Sequence, residues 1–152
     1  MAVAPIPAGY HSVTPYLVVK GAADAIEFYK KAFGATELLR MPLPDGKLAH
    51  AEVKIGDSPV MLADETDEFH APQPGAGGVS LMVYVADVDR VFAQALAAGA
   101  KELRPLADQF YGDRLGTLMD PFGHVWSLAT HVEDVAPDEI ERRFAKMLQQ
   151  GG

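Results

Sequence analysis

The sequence contains no cysteine. Disulfide bonds, thiolate nucleophiles and thiolate metal sites are therefore excluded, which fits a reducing compartment. Long apolar runs are missing as well, since no segment reaches the roughly 18 apolar residues that a membrane-spanning helix needs. Residues 1–9 have neither the basic start nor the apolar core of a signal peptide. These absences predict a cytoplasmic protein with no membrane partner.

Basic residues are scarce. Lys and Arg number 13 against 21 Asp and Glu, which gives a formal net charge of −8. Nucleic acids and anionic membranes bind to basic surfaces, so the charge argues against both as partners. An acidic surface suits a cationic ligand, and it equally suits plain solubility. With 49% hydrophobic and 22% charged residues, the composition is that of one globular domain spanning residues 1–152.

One order of predicted elements occurs twice. In residues 12–64, a β-branched strand at 13–19 precedes a helix, and strand-like segments follow at 36–41, 48–55 and 59–63. The helix is predicted from apolar residues at helical spacing and from Gly34 at its end. These apolar residues are Ala22, Ala25, Ile26, Tyr29 and Phe33. The pattern indicates a βαβββ unit.

Residues 79–132 repeat this order. A strand at 81–85 precedes a helix that Asp87 caps and Gly99 ends, and strands follow at 101–106, 115–119 and 125–130. Segments 34–38 and 99–103 share Gly-Ala-x-Glu-Leu at a shift of 65 residues. Acidic residues, proline and glycine make residues 65–78 the predicted linker. The sequence therefore predicts an α+β fold built from duplicated βαβββ units.

A C-terminal helix is predicted at residues 136–149. Pro137 and the acidic residues after it suit the first turn of a helix. Its apolar stripe consists of Ile140, Phe144, Met147 and Leu148. Such a stripe needs cover, either from the chain's own sheets or from a partner subunit.

Three motifs carry a family resemblance: Ala-Ile-Glu-Phe-Tyr at 25–29 followed by Phe33-Gly34, Asp-Val-Asp at 87–89, and Asp-Pro-Phe-Gly-His at 120–124. On these residues the chain resembles the vicinal oxygen chelate superfamily, which includes glyoxalase I, extradiol dioxygenases, fosfomycin-resistance proteins and bleomycin-binding proteins. Segments 50–55, 60–64 and 110–114, with Trp126, are similar to its PhnB-like branch. The resemblance covers about residues 12–132. It implies curved mixed sheets around a small-molecule cavity and, together with the apolar stripe, a homodimer.

The resemblance also locates the metal-binding positions of glyoxalase-like relatives, which carry His, Gln or Glu on the first and last strand of each unit. Thr14 and Met61 stand at these positions in the first unit, and Ser80 and Ser127 in the second. Hydroxyl and thioether groups thus replace the imidazole and carboxylate groups that bind divalent ions. The sequence predicts neither a metal site nor a cofactor.

Strand alternation predicts which side chains face a cavity between the two units. Apolar residues of the third strand are expected to face the helix, namely Ala49, Ala51, Val53 and Ile55. His50 and Glu52 then face the concave side. A repeat shift of 66 places Arg114, Gly116 and Leu118 on the equivalent face of the second unit. The predicted cavity is lined by Tyr16, His50, Glu52, Met61, Met82, Tyr84, Arg114 and Leu118, with Phe110 and Tyr111 on a nearby loop.

Two polar features of this cavity have alternative interpretations. His50 and Glu52 suit an acid–base pair, a displaced metal site or a structural hydrogen bond. Arg114 suits the bidentate binding of a carboxylate or phosphonate, or an ion pair with Asp113, Glu52 or Asp120. Trp126 is expected in the core beneath the helix, and no role is assigned to His11, His70, His124 and His131.

Three functions follow. The first is metal-independent small-molecule binding, as in the drug-sequestering relatives, because the metal ligands are missing. The second is a lyase- or isomerase-type enzyme that uses His50 and Glu52 in place of metal chemistry. The third is interaction through the terminal helix with a filled cavity. The sequence leaves open whether the protein is an enzyme and what its ligand is.

Overall fold

The computed structural model of this chain describes residues 3–74 and 77–151. The first unit consists of β1 (Tyr16–Val19), α1 (Ala22–Phe33), β2 (Thr36–Pro42), β3 (Leu48–Ile55) and β4 (Ser58–Asp64). Its strands form one sheet in the order β1-β4-β3-β2. The β1–β4 pair is parallel and the other pairs are antiparallel, so the sheet is mixed.

The second unit repeats this topology with β5 (Ser80–Tyr84), α2 (Val88–Ala97), β6 (Lys101–Asp108), β7 (Asp113–Met119) and β8 (Val125–His131). Its sheet has the order β5-β8-β7-β6, and α3 (Pro137–Gly151) follows. The predicted α+β fold of duplicated βαβββ units with a C-terminal helix is confirmed. Residues 75 and 76 of the predicted linker lie outside the described residues, as do residues 1, 2 and 152.

The first backbone N–H groups of α1 and α2 donate to a side chain of the last strand of the same unit, β4 or β8. Asp64 at the end of β4 accepts hydrogen bonds from the backbone N–H groups of Gly21 and Ala22, at 2.8 and 3.0 Å. At the same place in the second unit, Thr130 of β8 accepts from the N–H of Val88 at 2.9 Å. These bonds satisfy N–H groups that a helix leaves unpaired at its start and tie each helix to its sheet.

The core lies where α1 and α2 pack against each other and against one side of each sheet. Trp126 is 1% exposed and contacts Tyr29 and Phe33 of α1, so its predicted core position is confirmed. Asp120 is also buried and accepts hydrogen bonds from the Tyr29 hydroxyl (2.6 Å) and Trp126 Nε1 (2.9 Å). The bond from Tyr29 joins the two units, and burial together with Asp120 raises the pKa of Tyr29 well above its ordinary value.

Two local predictions are wrong. β1 begins at Tyr16 rather than at residue 13, and Val13 is 86% exposed. Ladder pairing starts only where the carbonyl of Pro15 accepts from the N–H of Met61. Ala49 was expected to face the helix but is exposed, and Leu48 is buried instead. The cause is a bulge, because β2 pairs Pro42 with Leu48 and Met41 with His50, which leaves Ala49 extra.

The terminal helix α3 docks on the loop between β6 and β7. Phe144 stacks on Phe110 with ring centroids 5.7 Å apart, and Arg143 bonds to the Phe110 carbonyl and to Glu133. No described residue of α3 is buried, so its own chain covers the stripe only in part. Among the described residues, no helix is long and apolar enough to cross a membrane.

Candidate functional site

Each sheet has a side covered by the helices and an opposite side, which we call its open face. In the first unit, Leu17, Ala51 and Val53 are buried on the helix side. The alternate residues Tyr16, His50, Glu52 and Met61 therefore lie on the open face, as predicted. β1 and β3 flank β4, and Met61 is the strand partner of both Tyr16 and Glu52. Four of the predicted cavity residues are thus brought together.

A hydrogen-bonded chain of four side chains runs across this open face. The Tyr16 hydroxyl lies 2.8 Å from His50 Nδ1, and His50 Nε2 lies 2.7 Å from Glu52 Oε2. The other Glu52 oxygen accepts from the hydroxyl of Tyr10, which belongs to the segment before β1. An imidazole that donates from Nε2 to the carboxylate and accepts from Tyr16 at Nδ1 satisfies both neighbours. Burial raises the pKa of Tyr16, so its phenol is protonated at neutral pH.

A cavity of about 600 Å³ borders these hydrogen-bonded side chains at Tyr16, and we call it the β1 cavity. Its floor is the open face of the first sheet, with Val18, Ala49 and Ala63. Its rim comes from the β2–β3 hairpin, with Leu43 and Lys47, and from the linker, with Thr66 and Phe69.

The second open face carries another hydrogen-bonded chain. The Tyr84 hydroxyl donates to Asp113 Oδ2 at 2.8 Å, and His131 Nδ1 lies 2.8 Å from Asp113 Oδ1. His131 Nε2 lies 2.7 Å from Asp134, in the segment that leads to α3. Asp113 is 4% exposed. Its hydrogen bond raises the pKa of Tyr84, and the two carboxylates, Asp113 first, raise the pKa of His131.

A larger cavity of about 810 Å³ lies between the two units, and we call it the interunit cleft. The edge strand β5 of the second sheet forms one wall with Leu81, Met82 and Tyr84. The segment before β1, including Val13 and Thr14, contributes from the first unit. The predicted cavity lining is therefore divided, with Met82 and Tyr84 at the interunit cleft and Tyr16 at the β1 cavity.

Arg114 does not share an open face with His50, so this prediction is wrong. Its guanidinium donates to Asp89 of α2 at 2.9 Å and to Asp108 at 3.2 Å. Leu118 is fully buried in the core on the same helix side. An added Cβ at Gly116 would lie 2.7 Å from the Phe92 ring of α2, which places this residue there too. Arg114 is thus ion-paired, although with none of the three acidic residues named from the sequence.

The error comes from the repeat shift. Ser127 lies 66 residues after Met61, and both occupy the same place in their sheets. Their β7 and β3 neighbours are Thr117 and Glu52, which differ by only 65. Because side chains alternate along a strand, a slip of one residue moves every predicted side chain to the other face.

Phe110 and Tyr111 lie on the loop between β6 and β7, but neither lines the interunit cleft or the β1 cavity that the prediction placed them beside. Their rings meet edge to face at 5.2 Å, while the other side of Phe110 stacks on α3. Phe110 thus anchors the terminal helix. Burial raises the pKa of Tyr111.

The four positions that correspond to the family's metal ligands do not fit a divalent ion. Met61 presents a thioether on the open face, and Ser127 Oγ is bonded to Thr117 Oγ1 at 2.9 Å. Thr14 Oγ1 bonds to the carbonyl of His11, and Ser80 is exposed at the start of β5. Residues 3–74 and 77–151 contain no group of three or more His, Cys, Asp or Glu side chains suited to a metal ion.

Sequence reasoning missed Tyr10, Asp113 and His131. His131 continues the alternation of Ser127 and Ala129 on β8, so its face was available from the sequence. Asp113 would have been found with the shift of 65 that the letters of segments 34–38 and 99–103 show. Tyr10 lies in a segment without periodicity, and no sequence signal points to it.

The model of the Glyoxalase/Bleomycin resistance protein/Dioxygenase superfamily matches residues 9–128, and the chain belongs to this superfamily. The predicted family is confirmed. An uncharacterized protein of Mycobacterium bovis is 45% identical over 146 residues, which cover 92% of this chain and 94% of that protein. YjdN of Escherichia coli is 28% identical over 137 residues, which cover 76% of this chain and 92% of YjdN.

Solved structures share the fold. TioX from Micromonospora sp. ML1 is 28% identical, with a TM-score of 0.65 over 80% of this chain and 99% of TioX. Another is a PhnB protein from Bacillus cereus, described as a putative 3-demethylubiquinone-9 3-methyltransferase. It is 22% identical, with a TM-score of 0.62 over 79% of this chain and 99% of the PhnB protein. This second likeness concerns the fold alone.

Proposed function

We propose that this protein binds a small molecule in the interunit cleft without the help of a metal ion. The supporting observation is the cleft itself, whose volume of about 810 Å³ is in the range of small-molecule sites. Both units contribute apolar side chains to it, among them Val13, Phe33, Leu81 and Met82. A few polar groups stand among them, including the imidazole of His11 and the guanidinium of Arg90.

The test is ligand binding with one charge introduced into the cleft. A library of small metabolites is screened by thermal shift, and the dissociation constants of its hits are measured by calorimetry. Val13→Asp places a carboxylate among apolar groups and should weaken binding at least about tenfold. Val132→Asp is the matched control, because Val132 is also exposed and does not line the cleft. Absence of any hit, or equal affinity in both variants, would contradict the proposal.

Metal independence is tested on the same protein. Thr14, Met61, Ser80 and Ser127 supply no imidazole or carboxylate, so protein purified without chelator should contain no stoichiometric divalent metal. Elemental analysis checks this. One tightly bound Zn, Ni, Fe or Mn per chain, or ligand binding that chelator abolishes, would refute it.

A second candidate is a lyase- or isomerase-type enzyme that uses His50 and Glu52 for acid–base chemistry. The observation that favours it is the 2.7 Å contact between His50 Nε2 and Glu52, which orients the ring and leaves Nδ1 to exchange a proton with Tyr16. Turnover of dicarbonyl–thiol adducts by metal-free protein tests it. His50→Gln should lower kcat by about a hundredfold or more, whereas unchanged turnover in that variant would rule this role out.

We further propose a homodimer. Large apolar side chains are exposed on both open faces and on α3, including Tyr16, Met82 and Phe144. Light scattering at micromolar concentration should give about twice the chain mass of 16.3 kDa. Truncation after Val135 removes α3 and should lower the mass or the solubility, and a monomer mass for the full chain would contradict the proposal. The cytoplasmic location stays a prediction.

A further inference from the structure

We propose that the β1 cavity is a second ligand site, which takes an uncharged molecule with an apolar body and one hydroxyl or carbonyl group. The polar group would contact the Tyr16 hydroxyl, and the body would lie between Val18, Ala63 and the rim residues. The inference does not depend on whether the interunit cleft binds a ligand, because the two cavities share no lining residue.

The apolar end of the site is formed by two exposed side chains. Phe69 is 63% exposed and Leu43 is 45% exposed, and both stand at the rim of the cavity. Each residue belongs to a backbone turn closed by hydrogen bonds. The Leu43 N–H donates to the Lys47 carbonyl at 2.7 Å, and Thr66 and Phe69 bond to each other through backbone and side chain. An apolar group bound over Val18 would remove both side chains from water.

The polar end is the Tyr16 hydroxyl. With His50 Nε2 donating to Glu52, Nδ1 accepts the Tyr16 proton, and the phenol oxygen keeps lone pairs for a ligand hydroxyl. A ligand carbonyl would instead accept the phenol proton. Tyr10, through its bond to Glu52, fixes the carboxylate that orients the imidazole.

The charges around the cavity argue for an uncharged ligand. Three carboxylates, Glu52, Asp64 and Glu65, lie in or beside it against two amines, Lys47 on its lining and Lys20 beside Glu65, so an anion would be repelled. A cation would have to compete with the partners that these carboxylates already have. Asp64 accepts from three backbone N–H groups, Glu52 from Tyr10 and His50, and Glu65 from Ala71, with Lys20 at its other oxygen.

Three probes with one phenylbutyl body test the ligand class: 4-phenylbutan-1-ol, 4-phenylbutanoate and 4-phenylbutylamine. Each is titrated into the full chain, with the dissociation constant taken from amide chemical shifts in two-dimensional NMR spectra. The alcohol should shift the amides of Val18 and Ala63 and bind at least about tenfold tighter than either charged probe.

Variants of the same chain test the contacts. Tyr16→Phe keeps the ring and removes the hydroxyl. This variant should bind 4-phenylbutan-1-ol about three- to tenfold more weakly. Phe69→Ala should weaken this binding by a similar factor. Met82→Ala, on the exposed wall of the interunit cleft, should leave the affinity for the alcohol unchanged. The same variant should weaken the binding of a ligand in that cleft. Failure of all three probes to bind at millimolar concentration, tighter binding of a charged probe, or shifts confined to cleft residues would each overturn the inference.

Discussion

The two open faces of the molecule carry similar side chains in a different order. On the first face, His50 lies between the Tyr16 hydroxyl and the Glu52 carboxylate. On the second face, Asp113 lies between Tyr84 and His131, whose other nitrogen meets Asp134. Two carboxylate neighbours require two donors, so they favour the cationic ring at His131. The histidine thus has one carboxylate neighbour on the first face and two on the second.

The two faces also differ in how they connect to the rest of the chain. Gly46 and Gly112 occupy equivalent turns before β3 and β7, and both have positive φ, at 88° and 101°. The space around Gly46 is open. At Gly112 the segment after β8 crosses closely, and the Val132 and Glu133 N–H groups donate to the Gly112 carbonyl. This crossing leads the chain to α3 and has no counterpart in the first unit.

The largest expected effect separates these two glycines. An added Cβ at Gly112 would lie 2.1 Å from the Glu133 carbonyl oxygen, whereas at Gly46 it would meet nothing within 4 Å. Both alanine variants are strained by positive φ, at about 1–2 kcal/mol. Gly112→Ala should cost about 1–3 kcal/mol more, because backbone must move. Urea unfolding measures both free energies, and equal destabilisation would show that the crossing is not tight.

Removal of the central carboxylate of the second face should have the next largest effect. Asp113 is buried and holds both Tyr84 and His131, so Asp113→Ala should destabilise the fold by about 2–3 kcal/mol. Glu52→Ala is the matched variant on the first face and should cost less, because Tyr16 and His50 keep their mutual bond. Thermal unfolding of both variants provides the comparison. A larger loss for Glu52→Ala would reverse it.

A smaller effect depends on pH. The pKa of folded His131 is raised above its ordinary value of 6.5 by Asp113 and then Asp134. The folded state therefore binds a proton that the unfolded state releases. The resulting stabilisation is fully present below about pH 6.5 and is lost as the pH rises through the folded pKa. His131→Gln should lower the melting temperature of the protein at pH 5.5 and change it less at pH 9.

The outcome for His131 has its own control. Asp134→Asn removes one of the two carboxylates and should reduce the pH dependence without abolishing it, because Asp113 remains. The histidine pKa is read from its ring protons by NMR. A value at or below 6.5 in the unmodified protein would contradict the raised pKa of His131 and the stabilisation that it provides.

The fold could be predicted because short, local sequence patterns specify its elements and the same patterns occur in both units. The apolar face of α1, Gly34 at its end and the Asp87 cap each specify an element with a short segment, and the duplication orders them. Which face a residue of β3 or β7 occupies depends instead on the exact pairing register of the strand. One residue of error placed Arg114 and Leu118 on the wrong side, and the Ala49 bulge broke alternation within β3. Tyr10 reaches Glu52 across 42 residues of sequence, a contact that no local pattern specifies.

The smallest effect is expected at Arg114, which sequence alternation had placed in the cavity. The guanidinium lies on the helix side of β7 and pairs with Asp89 and Asp108, whose side chains are 61% and 73% exposed. Exposed ion pairs contribute little because water and salt screen them, so Arg114→Ala should shift the melting temperature by no more than about 2 °C. The affinities of 4-phenylbutan-1-ol and of any cleft ligand should stay unchanged. Arg142→Ala, on the exposed side of α3, is the control for loss of a surface arginine. A tenfold loss of ligand affinity in Arg114→Ala alone would mean that this guanidinium reaches a ligand, and the assignment of the open faces would then fail.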